Sequence, residues 1–463
     1  MWRRPARTPL TASLLLILTI YFLYGFHDRS SSPRAAEDSD TTPIESKLLS
    51  SQVSPFDILA PEDSDATSNY TWITHNQRGM HALFRCIEGG NCQQNQTKVI
   101  LISSNDFISP LQGGYIGGEA IWAMSTLKAI KNLGYTPLFA ATMEAAAHFH
   151  QLLGPFIKII LVSHAQNLYC HSHPPCTKTA HNPGGIPSWK LLTQHFWADG
   201  ANINPLGAQW TLSPEDYRPR RNTTYLGYSV EPQCTKYPFI PHSQRGQEKA
   251  PQVYILAKYL KFFNPALRPA WTPEIFDAAA NETGARFLMA ARHLPEESDE
   301  QRARSRNGVA KSIENTLEGR LDEEVPTQKE FYGMLGRSVA LVGMGNPMLS
   351  PTPYDALCLG VPFINPILNW DRTNPSDRSR WRTQHDGLKD LSPPYVYNVR
   401  IGDQKGFTRA IRQATENPIE RYVLERIKLS SVEERLGRIV EWDWRSEAAM
   451  IMREREKRGE APS

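Results

Sequence analysis

Glu119 stands directly behind four glycines in the stretch LQGGYIGGEAIW, residues 111–122: Gly113, Gly114, Gly117 and Gly118. Glycines packed this closely let a backbone approach a ligand or turn as a hinge. Apolar residues at helical spacing follow, Ile121, Met124, Leu127 and Ile130. A carboxylate placed there can take a proton from an attacking hydroxyl. It can equally be a first-turn acid favoured by the helix dipole. The glycines alone leave a phosphate cradle, a hinge and the mouth of an active site all open.

A second constellation lies at residues 338–366, with Gly343 and Gly345 in a Gly-x-Gly turn after an apolar run, then Pro347, Pro351, Pro353 and Asp355. Free N–H groups at the start of a helix suit a diphosphate, and an acid beside them can accept hydrogen bonds from ribose hydroxyls. An ordinary strand–turn–helix with a turn glycine has the same outline. Cys170, His171, His173 and Cys176 form CHSHPPC. Zinc is one reading, but the spacing fits no standard finger and no second ligand pair follows. A disulfide between Cys170 and Cys176, and another between Cys86 and Cys92, suits close cysteine pairs in an oxidising compartment. Asp38–Asp40 and Asp63–Asp65 could hold a metal on a nucleotide-sugar, but both fall in a stretch that reads as solvated linker. No metal site is therefore expected.

Alternating apolar runs and helical spacing must position these groups. The runs KVILISS, TPLFAAT and FIKIILVS, separated by helical spacing, read as strand–helix–strand–helix–strand and so as a parallel sheet. Residues 169–221 carry no clear period and read as loop with short helices; Trp189, Trp197 and Trp210 there could stack on sugar faces or pack. YLGYSVE, 225–231, reads as a last strand. A second unit opens with QVYILAKYLKFF and continues through ARFLMAAR, SVALVGMG and VPFINPIL. The expected fold class is thus α/β with two Rossmann-like domains in series and a cleft at the carboxyl ends of their strands.

The ends set the compartment. Arg3, Arg4 and Arg7 precede an apolar run at 10–26, about the ~17-residue lower limit for spanning a bilayer. Aromatic residues crowd its end, which suits a retained anchor better than a cleavage site. The expected plan is a cytosolic tail at 1–9, a transmembrane signal anchor at 10–26 and a disordered stem at 27–75. An acceptor-side domain at 76–245, a donor-binding domain at 246–430 and a charged helix or tail at 431–463 follow. Asn-x-Thr sequons at Asn69, Asn95, Asn222 and Asn281 would be glycosylation sites in a lumenal body. With 51 basic against 48 acidic side chains, nothing calls for nucleic acid.

Residues 331–366, FYGMLGRSVALVGMGNPMLSPTPYDALCLGVPFINP, resemble the donor-site segment of glycosyltransferase family 18, the alpha-1,6-mannosylglycoprotein 6-beta-N-acetylglucosaminyltransferases. The family pattern VGLG-P…PAPLEA-ANG-AFLNP is matched at Val342–Gly345, Pro347, Pro351, Pro353, Asp355–Ala356, Gly360 and Phe363–Pro366, with Asp355 where the family has Glu. The glycine loop resembles the family's GGPLGE, and YLGYSVE its FLGFVVEQ, ending at Glu231. The likeness is patchy over residues 98–430 and fits a short, fungal-type form. It implies a GT-B fold and an inverting, metal-independent transfer of GlcNAc from UDP-GlcNAc to the 6-hydroxyl of an α-mannose on N-glycans. It implies Glu119 as base, Lys258 and Arg372 as basic donor-side groups, and a single-pass type II Golgi membrane protein with a lumenal body. The rivals are a GT-B enzyme with another nucleotide-sugar donor and a non-catalytic, lectin-like Golgi protein.

Overall fold

The computed structural model describes residues 71–113, 117–173, 175–197, 204–218, 220–245, 250–319 and 326–460. The expected anchor, stem residues up to 70, Gly114 and the Asn69 sequon lie outside them. No helix among the described residues is long and apolar enough to cross a membrane.

In chain order the first half runs α1 (Trp72–Gly89), β1 (Val99–Ser103), α2 (Asn105–Leu111), α3 (Gly118–Asn132), β2 (Thr136–Phe139), α4 (Met143–Leu153), β3 (Ile157–Ser163) and α5 (His164–Ser172). Then come β4 (Leu191–Gln194), β5 (Thr211–Ser213), β6 (Thr224–Tyr225) and a single turn, α6 (Glu231–Cys234). The second half runs β7 (Gln252–Leu256), α7 (Pro273–Thr283), β8 (Arg286–Met289), α8 (Asp299–Asn307), β9 (Ile313–Asn315), α9 (Gln328–Gly336) and β10 (Ala340–Gly343). It continues with α10 (Thr352–Cys358), β11 (Phe363–Asn369), β12 (Arg382–Thr383), β13 (Val396–Arg400), α11 (Gln404–Glu416), α12 (Leu429–Glu441) and α13 (Trp444–Lys457).

The strands of the first half form one parallel sheet in the order β2-β1-β3-β4-β5-β6. Every residue of β1 is buried, which is why it reads as an uninterrupted apolar run. The strands of the second half order as β12-β11-β10-β7-β8-β9, with β13 also beside β11 and only the short β12 antiparallel. Each sheet has a point where the strand order reverses: between β1 and β3 in the first, between β7 and β10 in the second. Crevices at such points, outside the carboxyl ends of the strands, are where open α/β sheets take ligands.

Local sequence explains the element starts. Ser104, Thr142 and Ser163 each cap a helix by accepting a backbone N–H. Thr327 and Glu330 form a capping box on α9. One apolar core runs from Ile100 and Trp122 through Tyr354 and Leu357 to Leu436 and Trp444, so the two sheets and the last two helices share it.

Four features depart from the sequence reading. β4 and β5 lie in the stretch read as loop. YLGYSVE contributes only Tyr225 to a strand, and its next five residues are buried irregular chain. α1 begins inside the stretch assigned to the stem. The C-terminal segment does not trail away: α12 packs on α3 through Val432, Leu436, Ile439 and Val440. Lys98 pairs with Glu441 at 2.8 Å, and Arg435 donates to the carbonyl of Leu226 at 2.6 Å.

Cys86–Cys92 and Cys170–Cys176 are disulfides, so CHSHPPC is a closed loop rather than a zinc site. A third disulfide, Cys234–Cys358, joins α6 to the end of α10 across 124 residues. Asn222 and Asn281 are exposed. Asn95 is half-buried, and its amide nitrogen donates to the carbonyl of Leu133 at 2.8 Å.

Candidate functional site

The two reversal points open on one cavity of about 330 Å3, lined by Asn105, Asp106, Ser109, Pro110, Gly117, Glu119, Ala120 and Lys258. The first sheet supplies its part through a chain of short steps. β1 ends at Ser103; Ser104 caps α2 by accepting from Asp106 N at 3.3 Å; Pro110 stands near the end of α2. Gly113 lies at φ 76°, a left-handed turn that glycine takes without strain. Gly117 is the N-cap of α3, and Glu119 sits exposed in its first turn. A side chain at Gly118 would stand 3.5 Å from both Phe196 and Pro351, so the start of α3 lies against the loop that leads into α10.

Lys258 follows β7, whose Leu256 pairs with Gly343 of β10. The two glycines have different reasons to be there. Gly345 has φ 91°. A Cβ on Gly343 would fall 2.2 Å from Gln384 Oε1, an oxygen that accepts from Gly345 N at 2.8 Å. Gln384 also donates to the carbonyl of Pro347, and Trp271 Nε1 donates to that of Gly343 at 2.7 Å. Gly343 thus admits the side chain that braces the turn.

The start of α10 is less of an anion site than its sequence suggests. The helix has seven residues, Pro351 and Pro353 lack an N–H, and Tyr354 N already donates to Pro351 O. Pro353 itself is buried. Asp355 does not face the cavity as a ribose partner would: it is 3% exposed, and Oδ1 accepts from Tyr332 Oη at 2.7 Å. Burial pushes its carboxyl up to about 7, against the pull of the Tyr332 hydrogen bond. Arg372 lies past β11, exposed and stacked 3.9 Å from the Trp370 ring. Glu231 is not in a loop beside Glu119; its Oε2 accepts from Leu429 N at 2.9 Å and holds the start of α12.

The structure thus brings Glu119, Gly117 and Lys258 together. It adds groups the sequence reading passed over. Asp106 shares the cavity with Glu119; burial, then the charge of Glu119, raises its carboxyl, against a hydrogen bond from Ser104. On the other side the Tyr259 ring is flanked by three cations, Lys258 at 5.2 Å, Lys261 at 5.6 Å and Arg292 at 5.9 Å. Arg292 N donates to the carbonyl of Lys258, where the chains leaving β7 and β8 run together. Its position at the end of ARFLMAAR, just past a strand, was the available signal. Among the described residues no group of three or more His, Cys, Asp or Glu is arranged around a metal position.

Two α/β sheets, parallel but for β12, with reversal points opening on one cavity, are the expected two-Rossmann arrangement of GT-B type. Among solved structures, the chain is similar to a trehalose-6-phosphate synthase at 9% identity, covering 78% of this chain and 99% of that one with a TM-score of 0.42. It is similar to the Methanocaldococcus jannaschii UDP-GlcNAc 2-epimerase in complex with UDP-GlcNAc and UDP, at 9% identity, 74% and 99% coverage and a TM-score of 0.38. It is similar to a Thermobaculum terrenum O-GlcNAc transferase at 11% identity, 85% and 74% coverage and a TM-score of 0.33. No family model and no curated protein sequence matches the chain. Likeness this distant carries no argument about the reaction.

Proposed function

We propose that the protein is an inverting glycosyltransferase that moves GlcNAc from UDP-GlcNAc to the 6-hydroxyl of an α-mannose on N-glycans, as a type II Golgi membrane protein with its body in the lumen. The observation that carries the transferase reading is the meeting of Glu119 and Lys258 in one cavity from two different sheets. The donor and acceptor identities rest on the resemblance at residues 331–366 and at the glycine loop.

In this reading the acceptor hydroxyl oxygen attacks the anomeric carbon from the Glu119 side, and its proton passes to the Glu119 carboxylate. The bond from the anomeric carbon to the diphosphate oxygen breaks, and UDP leaves with the electron pair. Lys258 and Arg292, with Arg372 further along the same strand ends, balance the charge that grows on the diphosphate. Asp106, whose carboxyl is raised by burial and by the charge of Glu119, lines the same cavity beside the base. Asp355 acts from the interior by fixing α10 against α9 through Tyr332.

The test is initial rate with UDP-GlcNAc and a panel of other nucleotide-sugars, on N-glycan acceptors with and without EDTA. Glu119→Gln keeps the size of the side chain but takes no proton. Turnover should fall by ~10²–10⁴ with UDP affinity little changed. Near-normal turnover in that variant removes Glu119 as base, a different preferred donor removes the GlcNAc assignment, and loss of activity with EDTA removes the metal-independent mechanism.

A further inference from the structure

A larger cavity, about 880 Å3, lies at the opposite, amino end of the first sheet's strands and shares no lining residue with the cavity around Glu119. Its floor is the amino ends of β3 and β4, with Ile157, Lys158 and residues 188–190. Its roof is the joint between α12 and α13, residues 440–445. Sites of this size suit small organic ligands.

The wall is basic and aromatic at once. Lys158, Lys178, Lys190 and Arg445 face it, against Glu441 and Asp443. The two acids are committed elsewhere. Glu441 accepts from Lys98 and Tyr135, both at 2.8 Å, and pairs with Lys158 only at 3.6 Å. Asp443 caps α13 through Ser446 N at 3.0 Å. Lys190 is 8% exposed, and its ammonium donates to Gly154 O at 2.9 Å while standing 5.4 Å from the Trp189 ring. Burial, then Lys158, lowers it to about 8, so its charge is held at a cost that a bound anion would offset. His150 is kept neutral, down to about 4, by burial, then Lys190 and Lys178; its enclosed Nδ1 has no hydrogen-bond partner. Trp189 is half-buried and Trp442 is 57% exposed at the rim, an unusual exposure for so large an apolar surface. Trp444, in the roof, packs on Trp210 at 5.1 Å.

We infer that this cavity is a second saccharide site that takes a sugar bearing an anionic group, its ring on Trp442 and Trp189 and its charge on Lys178, Lys158 and Lys190. A neutral sugar would leave the excess of positive charge, four cations against two acids that are already engaged, without a counter-charge. Inorganic phosphate would leave the tryptophan faces uncovered. The proposal goes beyond the transferase reading and is tested by binding alone.

The experiment is titration of the whole protein, with UDP saturating the other cavity, by glucose 6-phosphate, glucuronate, glucose and inorganic phosphate at low salt, followed by calorimetry and tryptophan fluorescence. At least one acidic sugar should bind about tenfold tighter than glucose and than phosphate, the difference expected of one charge-assisted contact. The phosphate and carboxylate arms separate the two sources of charge. Lys178→Glu, at an exposed position, should weaken that sugar about tenfold. Trp442→Ala should weaken it roughly three- to tenfold. Neither should change UDP affinity or the melting temperature. Equal binding of glucose or of phosphate, no binding of either acidic sugar, or binding indifferent to both variants overturns the proposal.

Discussion

Asp355→Asn separates a buried, proton-bearing carboxyl from a surface carboxylate that meets a ribose. Asp355 is enclosed between α10 and α9, and its hydrogen-bond partner is the Tyr332 hydroxyl, on a ring stacked 4.5 Å from Tyr237. Its folded value is about 7 against an ordinary 3.8. The folded state therefore holds the proton more tightly than the unfolded chain. Stability must fall as pH rises from 3.8, and the loss is complete above about 7. At about 1.4 kcal/mol per unit, the penalty is roughly 4 kcal/mol at pH 8 and roughly 2 kcal/mol at pH 5.

Asparagine keeps an oxygen for Tyr332 and carries no charge at either pH. Its NH2 group adds a cost of ~1–3 kcal/mol if left without an acceptor, but that cost does not depend on pH. The stability difference between variant and wild type should therefore move by roughly 2–3 kcal/mol in favour of asparagine between pH 5 and pH 8. Urea denaturation at the two pH values reads it directly, with equal m-values as the control. A difference that does not move with pH refutes the buried, proton-bearing carboxyl. A loss of UDP affinity without any pH-dependent change in stability would instead place Asp355 on the donor.

Lys258→Ala should weaken UDP by roughly ten- to a hundredfold, the range for a hydrogen bond to a charged group, and flatten the salt dependence of binding; calorimetry at two salt concentrations checks both. Replacing Cys234 and Cys358 together by alanine should lower the unfolding free energy by about 5 kcal/mol on the chain-entropy estimate for a loop of that length, and an unchanged urea midpoint removes the tie between α6 and α10 as a stabilising element. Gly345→Ala forces a side chain into φ 91° with its Cβ 3.3 Å from Leu368; it should cost ~1–2 kcal/mol and impair donor binding, read as a lower melting temperature and weaker UDP affinity.

The elements legible in the sequence are those buried on both faces. VILIS, IKIILVS and ALVG could hardly be anything but interior strands, and they carry both reversal points with them. LLTQ, TLS and IEN were not legible. Each has three or four residues, too few to show a period, and takes its strand character from the neighbour it pairs with. At 431–463 a charged helix or tail is all the sequence shows; the packing of α12 is not legible, because its apolar residues occupy only one stripe and what covers that stripe is α3, some three hundred residues earlier. Glu119 was legible because the glycine loop and the helix start are local. Its companion Asp106 was not, because in sequence it is only a first-turn acid of another short helix.

The same distinction applies to the joint that lets the two halves of the site meet. Glu215, just after β5, accepts from Tyr354 Oη of α10 at 2.6 Å; Arg426, on the segment crossing back to the first sheet, donates to the same hydroxyl at 2.9 Å. His385 lies 4.0 Å from Glu215, and burial holds its imidazole neutral, down to about 3. Gly387 has to be glycine, since a Cβ there would stand 2.6 Å from Glu215 Oε2. Burial raises the Glu215 carboxyl, against the opposing charge of Arg426, so the group is costly on its own and tolerable only in this company. Three segments remote from it in sequence close on that carboxylate: the start of α10, residues 385–387 and the stretch around Arg426. A polar joint of this kind fixes one relative placement of the sheets, whereas an apolar surface alone would tolerate several. Pro351, which stands against Gly118, lies just ahead of Tyr354 on the same short helix. The bond from Tyr354 to Glu215 therefore positions the loop against which the Glu119 helix begins.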